Sequence, residues 1–575
     1  MKNILGTKHG LRTSRNLTII AQDPSLRVGR KILRATISIP AEELSPGPSG
    51  YRVSVVDYDV TANALYQPLR LDSGLAGDYP DPYANAPDEE LLADPRFHAQ
   101  NAYAIVMRIL ARFELALGRR VPWGSNGHQL NVAPHAFAEP NAFYSREDRG
   151  LFFGYFDGSS GRKGSAKVIY TSLAHDVVAH ETTHAVLDGL RSRYLEPSSP
   201  DQAAFHEGFA DVVALLSVFS LEEVVGAILD GKPTDKLIDA AALTAEALID
   251  SSLMKLAEEM GQELSGLRGE ALRHSVKLKP GRDYMSDAEF QEEHRRGELL
   301  VAAMLRSFLD IWLARLDKVG TISRGKKDRS LVVEEGAKAA DHLLTMAIRA
   351  IDYCPPVDLN FAAYLSALLT VDQEVVPDDR YGYREALLCN FKAYGIAPSA
   401  TSGADGIWQR CDREMVYSRT HFDSMLRDDE EMFRFVWENR RSLELGEAGY
   451  VQVQFVRPST RIAPDGFVLR ENIAEYVQIL TLQAEELSEL GVDIPEGMPG
   501  WRNVTLFGGG TLVFDEYGQL KYQIANHLLN SDADKKRQSE RVRALWKRGS
   551  TQAPDATSRI AELHLARAIA KDGSL

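Results

Sequence analysis

The residues of this chain whose types and spacing best support chemistry lie in H-E-T-T-H, His180 to His184. On a helix, residues four apart sit one turn apart on one face, so His180 and His184 can present ring nitrogens to a single metal ion. Glu181 is offset around the helix and can flank the ion without binding it, where a general base takes a proton from metal-bound water. The chain has 14 histidines, and chance matches to H-E-x-x-H in it number on the order of 0.03. The bland alternative is two surface histidines on an ordinary helix.

Two imidazoles leave a catalytic zinc ion short of protein ligands, because such a site takes three plus an open position. H-E-G-F-A-D at 206–211 supplies the third. Glu207 and Asp211 are four apart and share a helical face. Glu207 is the candidate ligand. Asp211 is the candidate acceptor for the far nitrogen of a ligand histidine, which fixes the ring's tautomer and raises its basicity. The stretch between His184 and Glu207 is long enough to finish one helix, turn through EPSSPDQ and start another. The expected cofactor is one zinc ion.

HDVVAHETTHAVLDGL followed by HEGFAD resembles the thermolysin-like gluzincin metallopeptidases, and EGFAD is also close to the fungalysin branch. NAFYSREDRGLFFGYFDG (141–158) is similar to that family's edge strand and the glycine-rich turn after it. FAAYLSALLTVDQ and YREALLCNFKAYGI are similar to the end of its helical lobe, so the likeness covers about 95–396. The resemblance implies that His180, His184 and Glu207 bind zinc, that Glu181 is the catalytic glutamate, and that Asp211 orients the first zinc histidine. It implies that Asn141 and Ala142 hold the substrate backbone by main-chain hydrogen bonds beside a sheet edge.

The family also stabilises the charge that develops on the carbonyl oxygen with a tyrosine soon after the zinc helix and a later histidine. Tyr194 and His294 fit those roles, and Arg273 in ALRHS is the best match to an arginine that holds the substrate carbonyl. An ordinary edge strand at 141–144, a packed loop tyrosine at 194 and a capping or surface histidine at 294 are the alternatives. His206 stands where the family has asparagine. Asp176 matches a calcium-binding aspartate, but Val218 stands where a partner acid is expected, so calcium is doubtful.

The chain that must position these groups has 575 residues, 44% of them hydrophobic and 26% charged, with a net charge of −15. It can bury a large core, and it is neither disordered nor a disulfide scaffold. An acidic chain is a poor general binder of nucleic acid or anionic membrane. The basic stretch KKRQSERVRALWKR reads as a solvated helix face, so nucleic acid is an unlikely partner. Cys354, Cys389 and Cys411 are too few and too far apart for a disulfide framework. The longest apolar helix pattern, Leu299 to Leu316, is broken by Arg306, Asp310 and Arg315, which argues against a membrane span. With neither a secretion signal nor an inhibitory propeptide visible, the expectation is a cytoplasmic protein restrained in another way.

The expected fold class is α+β. A thermolysin-like two-lobed core, with a mixed β/α N-lobe and a helical C-lobe, carries an extra C-terminal α/β domain. The division reads as a β-rich extension (1–90), an N-lobe ending in the zinc helix (91–192), a helical lobe (193–396), a linker (397–410) and an accessory domain (411–575). Helical spacing is expected over 173–192, 203–220, 235–260, 295–316, 335–353, 359–372, 382–393, 535–548 and 557–570. Strands are expected at 450–456, 467–472 and 476–483, with a hairpin over 511–524. The triple glycine at 508–510 fits no phosphate-binding loop and reads as a turn or bulge. His98 and His135 read as structural or surface residues.

The functional expectation is an intracellular zinc endopeptidase acting on peptide or protein substrates, with 411–575 free to engage a regulatory partner. Two alternatives stand beside it. One is a zinc-bound scaffold with little turnover, against which intact Glu181 argues. The other is a zinc aminopeptidase, which needs an acidic anchor for the substrate N-terminus; no G-x-M-E-N-like segment supplies one.

Overall fold

The computed structural model describes residues 13–71, 79–124, 127–158, 168–229, 235–249, 274–322, 325–462 and 466–547. It is a mixed α/β chain. Numbering only the elements used here, β1 (Ser14–Ile20) and β2 (Arg34–Pro40) pair antiparallel with Leu17 opposite Ile37. Their alternating apolar residues face inward. After β3 (Val53–Val55) comes α1 (Pro95–Leu117). Asp94 caps its N-terminus by accepting from the Arg96 N–H, Pro95 fits the first turn, and Gly118 ends it with φ of 66°. Ala102, Val106, Ile109, Leu110, Phe113 and Leu117 recur at helical spacing on it and are all buried.

Four strands follow: β4 (Leu130–Phe137), β5 (Ala142–Ser145), β6 (Gly150–Asp157) and β7 (Val168–Tyr170). With β3 they form one sheet in the order β7-β6-β4-β3. One side of β6 is shared: Gly150–Phe153 pair with β5 and Tyr155–Asp157 with β7. Among the described residues β5 pairs with β6 alone, so its outer side is a sheet edge. The extension expected over 1–90 supplies β1, β2 and β3, whose apolar side chains join the same hydrophobic core as α1.

The central helix α2 (His175–Leu190) carries H-E-T-T-H and is buried along nearly its whole length. Thr182 and Thr183 satisfy their hydroxyls on the carbonyls of Val178 and Ala179 inside the helix. α3 (Pro200–Phe219) starts at Ser199, whose side chain accepts from the Gln202 N–H, with Pro200 in the first turn. α4 (Glu293–Asp317), α5 (Arg329–Ala350), α6 (Phe361–Val375) and α7 (Tyr383–Ala393) complete the helical part. α3 packs on α2, α4 and α5. Of the helix expected over 235–260, the described residues hold a strand at Leu237–Asp239, a 3-10 turn at Ala240–Ala242 and an α-helix that starts only at Ala245. Asp239 holds the 3-10 turn by accepting from the Ala241 N–H, and Thr244 caps the start of the helix by accepting from the Ala247 N–H, so helix begins after 244 and not at 235. No helix among the described residues is long and apolar enough to cross a membrane.

The C-terminal part holds α8 (Asp429–Glu438) and a four-stranded antiparallel sheet. Its strands are β8 (Tyr450–Ile462), β9 (Val468–Gln483), β10 (Asn503–Phe514) and β11 (Leu520–Asn526), followed by α9 (Asp532–Lys547). The segments expected at 467–472 and 476–483 are one strand of 16 residues. The glycine run makes no turn. It lies inside β10, with Gly509 opposite Val477, and a Cβ on Gly509 would stand 3.0 Å from the Pro356 side chain and 2.5 Å from the Tyr476 carbonyl. Glycine there lets the helical part come close to the sheet. The helix expected over 557–570 lies outside the described residues.

Buried charges join this sheet to the rest. Arg461 pairs with Asp352 and Glu471, Tyr353 donates to Glu471, and Arg119 holds Asp352 from α1's C-terminal side. Trp408, in the stretch expected as a linker, is buried and donates to the Tyr353 carbonyl at 2.9 Å.

Candidate metal centre

His180 and His184 project from one face of α2, and Glu207 and Asp211 from α3. Gly208 allows the backbone of α4 to approach α3 next to Glu207. The two histidine Nε2 atoms are 2.7 Å apart. Glu207 Oε2 lies 3.5 Å from His180 Nε2, and its Oε1 lies 3.4 Å from His184 Nε2. All three side chains are buried, and they form a group able to hold a metal ion.

The hydrogen bonds behind the rings test whether a cation fits. Asp211 Oδ1 lies 2.7 Å from His180 Nδ1, so that nitrogen keeps the proton and Nε2 offers a lone pair to the centre. His184 Nδ1 lies 2.7 Å from His206 Nδ1, and the rings are close to coplanar, at 22°. One of the two must donate. With the proton on His184 Nδ1, His184 Nε2 is also a lone pair and His206 carries its own proton on Nε2. Burial pushes His206 down to about 3, so its ring is neutral at pH 7. Two lone pairs and a carboxylate facing one another is a donor set suited to zinc. Nitrogens each about 2.0–2.1 Å from a tetrahedral ion stand about 3.3 Å apart, so ring shifts of about half an ångström would admit it.

Glu181 is fully buried. Its Oε2 accepts from the Tyr144 backbone N–H at 3.1 Å, which ties the carboxylate to the edge strand β5. Tyr144 also donates its hydroxyl to Asp188 Oδ2 at 2.9 Å. Asp188 follows Glu181 by seven residues on α2, so one strand residue fixes two acids of the central helix. Arg146 binds the same Asp188 carboxylate through Nε and Nη2.

The other expected residues are placed as follows. Ala142 opens β5, and its N–H donates to the Asn141 side-chain oxygen at 2.9 Å; Asn141 itself is buried. His294 lies in the first turn of α4, with Nδ1 2.9 Å from Glu292 Oε1, and Gly297 one turn later packs on Gly208. Tyr194 does not present its hydroxyl to the metal group. It is buried in the turn after α2, edge-on to Phe205, and donates to the Pro355 carbonyl at 2.8 Å. A buried phenol needs a partner, and this one finds it in the core. Arg273 lies outside the described residues.

Sequence reasoning missed His206, Tyr144, Asp188 and Arg146. His206 carries a signal in its place beside Glu207, where the family resemblance marks only a departure from asparagine. The others had none, since Tyr144 acts partly through its backbone. His98 and His135 are both buried: His98 Nδ1 meets His135 Nε2 at 2.7 Å, and His135 Nδ1 meets Asp57. The chain matches no protein-family model and no curated protein.

Proposed function

We propose that this chain is a zinc-dependent endopeptidase of the thermolysin-like kind. The observation that carries the reading is the joining of the buried His180–His184–Glu207 group to a sheet edge through Glu181, whose carboxylate rests on the Tyr144 N–H. His180, His184 and Glu207 would hold the ion, with Asp211 and His206 fixing the two imidazoles. Zinc, when bound, supplies a Lewis acid that acidifies water and polarises the scissile carbonyl.

The protein's own residues do the rest. A peptide added along the outer side of β5 is gripped by main-chain hydrogen bonds and brought beside Glu181. Glu181 accepts the proton of the attacking water and passes it to the leaving amine nitrogen. His294 is the remaining candidate for stabilising charge on the carbonyl oxygen, since the Tyr194 hydroxyl is committed to Pro355.

The test is cleavage of casein and of a blocked peptide library by zinc-loaded protein and by Glu181→Gln. Internal cleavage that drops on the order of 10²–10⁴-fold in the variant, at unchanged zinc content, supports the proposal. Cleavage only at chain ends replaces it with an aminopeptidase. About one bound zinc per chain with no cleavage by either protein replaces it with a metal-binding scaffold.

A further inference from the structure

We propose that Arg457 anchors a carboxylate-binding site at the seam between the C-terminal sheet and the helical part, which takes a free carboxylic acid or the acidic side chain of a peptide. The site is separate from the metal group and stands whether or not the chain is a peptidase.

Along β8, Phe455, Arg457, Ser459 and Arg461 share one face. That face meets the helical part: Ser459 donates to the Leu117 carbonyl at the end of α1, and Arg461 pairs with Asp352. The Arg457 guanidinium lies over the Phe455 ring, 4.1 Å from its centroid. Arg191, which follows the last residue of α2, approaches the same ring at 5.4 Å. Stacking of this kind fixes the plane of a guanidinium and leaves its edge for hydrogen bonds.

That edge is unmet. Arg457 Nη1 is buried and has no hydrogen-bond partner among the described residues. The carboxylates around it are claimed by other cations. Arg119 and Arg461 share Asp352, Arg461 and Lys521 share Glu471, and Arg191 holds Glu475. Asp429, at the start of α8, acts on Arg457 only from beyond ion-pair range. The helix-end carbonyls at the seam are answered by other arginines as well: Arg349 donates to Ala116, Arg119 to Leu117 and Arg191 to Ile351. Burial, and then the charges of Arg119 and Arg191, push Arg457 down to about 10. A buried charge is ordinarily paired. This one is left over, and the residue as a whole is only half-buried, so a ligand can reach it from solvent.

The chemistry favours a carboxylate. One guanidinium lacks a counter-charge, so a single negative charge completes the seam, whereas a phosphate dianion would bring a second. The planar fork of N–H groups matches the two oxygens of a carboxylate. A chain with a net charge of −15 repels anions in general, so an anion held here is held by local geometry. Arg191 lies seven residues beyond His184, about 10 Å along α2, which places the ligand away from the metal group.

The experiment uses the full chain, as wild type, Arg457→Gln and Arg457→Lys. Thermal midpoints are read at constant ionic strength as acetate, or separately inorganic phosphate, replaces chloride. Calorimetry reads the binding of a blocked triglutamate peptide and of its triglutamine counterpart. Acetate at about ten times its dissociation constant should raise the wild-type midpoint by about 1–2 °C, saturably. Arg457→Gln should lose that rise, yet melt in chloride no lower than wild type, because it no longer buries an unpaired cation. Arg457→Lys keeps the charge without the fork and should fall between the two. Triglutamate binding that weakens about tenfold or more in Arg457→Gln, with no binding of triglutamine, assigns the site to a peptide; an acetate effect without triglutamate binding assigns it to a small free acid. An equal acetate rise in wild type and Arg457→Gln, or none in either, would overturn the inference. So would stabilisation by phosphate and not by acetate. A midpoint in chloride that drops by several degrees in Arg457→Gln, with no anion effect on either protein, would make Arg457 a packing residue only.

Discussion

Gly208 and Gly297 meet backbone to backbone where α3 crosses α4: a Cβ on Gly208 would lie 3.0 Å from the Gly297 carbonyl oxygen and 3.1 Å from its Cα. Both obstacles are main chain, so the helices, not a flexible side chain, would have to give. Gly208 follows Glu207 directly. We expect Gly208→Ala to destabilise the fold by about 1–3 kcal/mol, as overpacking does, and to weaken zinc binding by moving Glu207. Calorimetry and competition with a chromogenic chelator measure the two effects. Wild-type zinc affinity in Gly208→Ala would disconnect the helix crossing from the metal group.

His206 should set metal affinity through His184. Replacing it with leucine removes the acceptor for the His184 Nδ1–H, and zinc affinity should fall about 10–100-fold with the fold retained. Asparagine can still accept through its side-chain oxygen, so His206→Asn should stay much closer to wild type. If both variants lose affinity equally, the hydrogen bond is not what matters.

Arg461 neutralises Asp352 and Glu471 where the C-terminal sheet meets the helical part, and all three are buried. Arg461→Met leaves two carboxylates short of a cation. Breaking a buried pair in this way costs about 3–5 kcal/mol. A thermal scan should show the unfolding midpoint falling steeply, and limited proteolysis should release fragments between 397 and 450 sooner. An unchanged midpoint would mean that Arg119 on Asp352, with Tyr353 and Lys521 on Glu471, suffices to hold the two acids.

Acid should unfold the protein partly through two buried histidines that are not members of the metal group. Burial pushes His98 down to about 3, helped by the charge of His135, and pushes His175 down to about 3, helped by Arg108. Their folded values lie below the ordinary 6.5. The stability they contribute is therefore fully present above about 6.5 and is lost as pH falls toward 3. Each adds about 1.4 kcal/mol of stability per pH unit across that window. Denaturant melts from pH 4 to 7 measure the slope, and NMR titration assigns it. An imidazole resonance of His98 or His175 titrating near 6.5 in the folded protein would refute the account.

Much of the metal group was legible because it is local. His180 and His184 lie within one turn, as do Glu207 and Asp211, and the helix period converts such spacing into geometry. Tyr194 failed for the opposite reason: its position in sequence placed it near the metal helix, but packing against Phe205 and Pro355 decided where its hydroxyl went. The helix expected over 235–260 starts, where described, only at Ala245, because Asp239 holds a turn before it and Thr244 caps its first residues, signals that apolar spacing does not register. The glycine run reads as a turn from sequence because what crowds Gly509, the Tyr476 carbonyl on the paired strand and the Pro356 side chain, is distant in the chain. Tyr144 was hidden in the same way: a backbone N–H leaves no mark on residue type.

Arg191 and Glu196 lie in the connection between α2 and α3, and both are tied to the C-terminal part, Arg191 to Glu475 and Glu196 to Arg541. The ion proposed to bridge those helices and the sheet pinning their connection would restrain the same short run of chain. Where filling one site stiffens what the other grips, the coupling is reciprocal: if the group holds zinc as proposed, whatever pries the sheet loose would lower the hold on the ion, and chelation would loosen the sheet by the same factor.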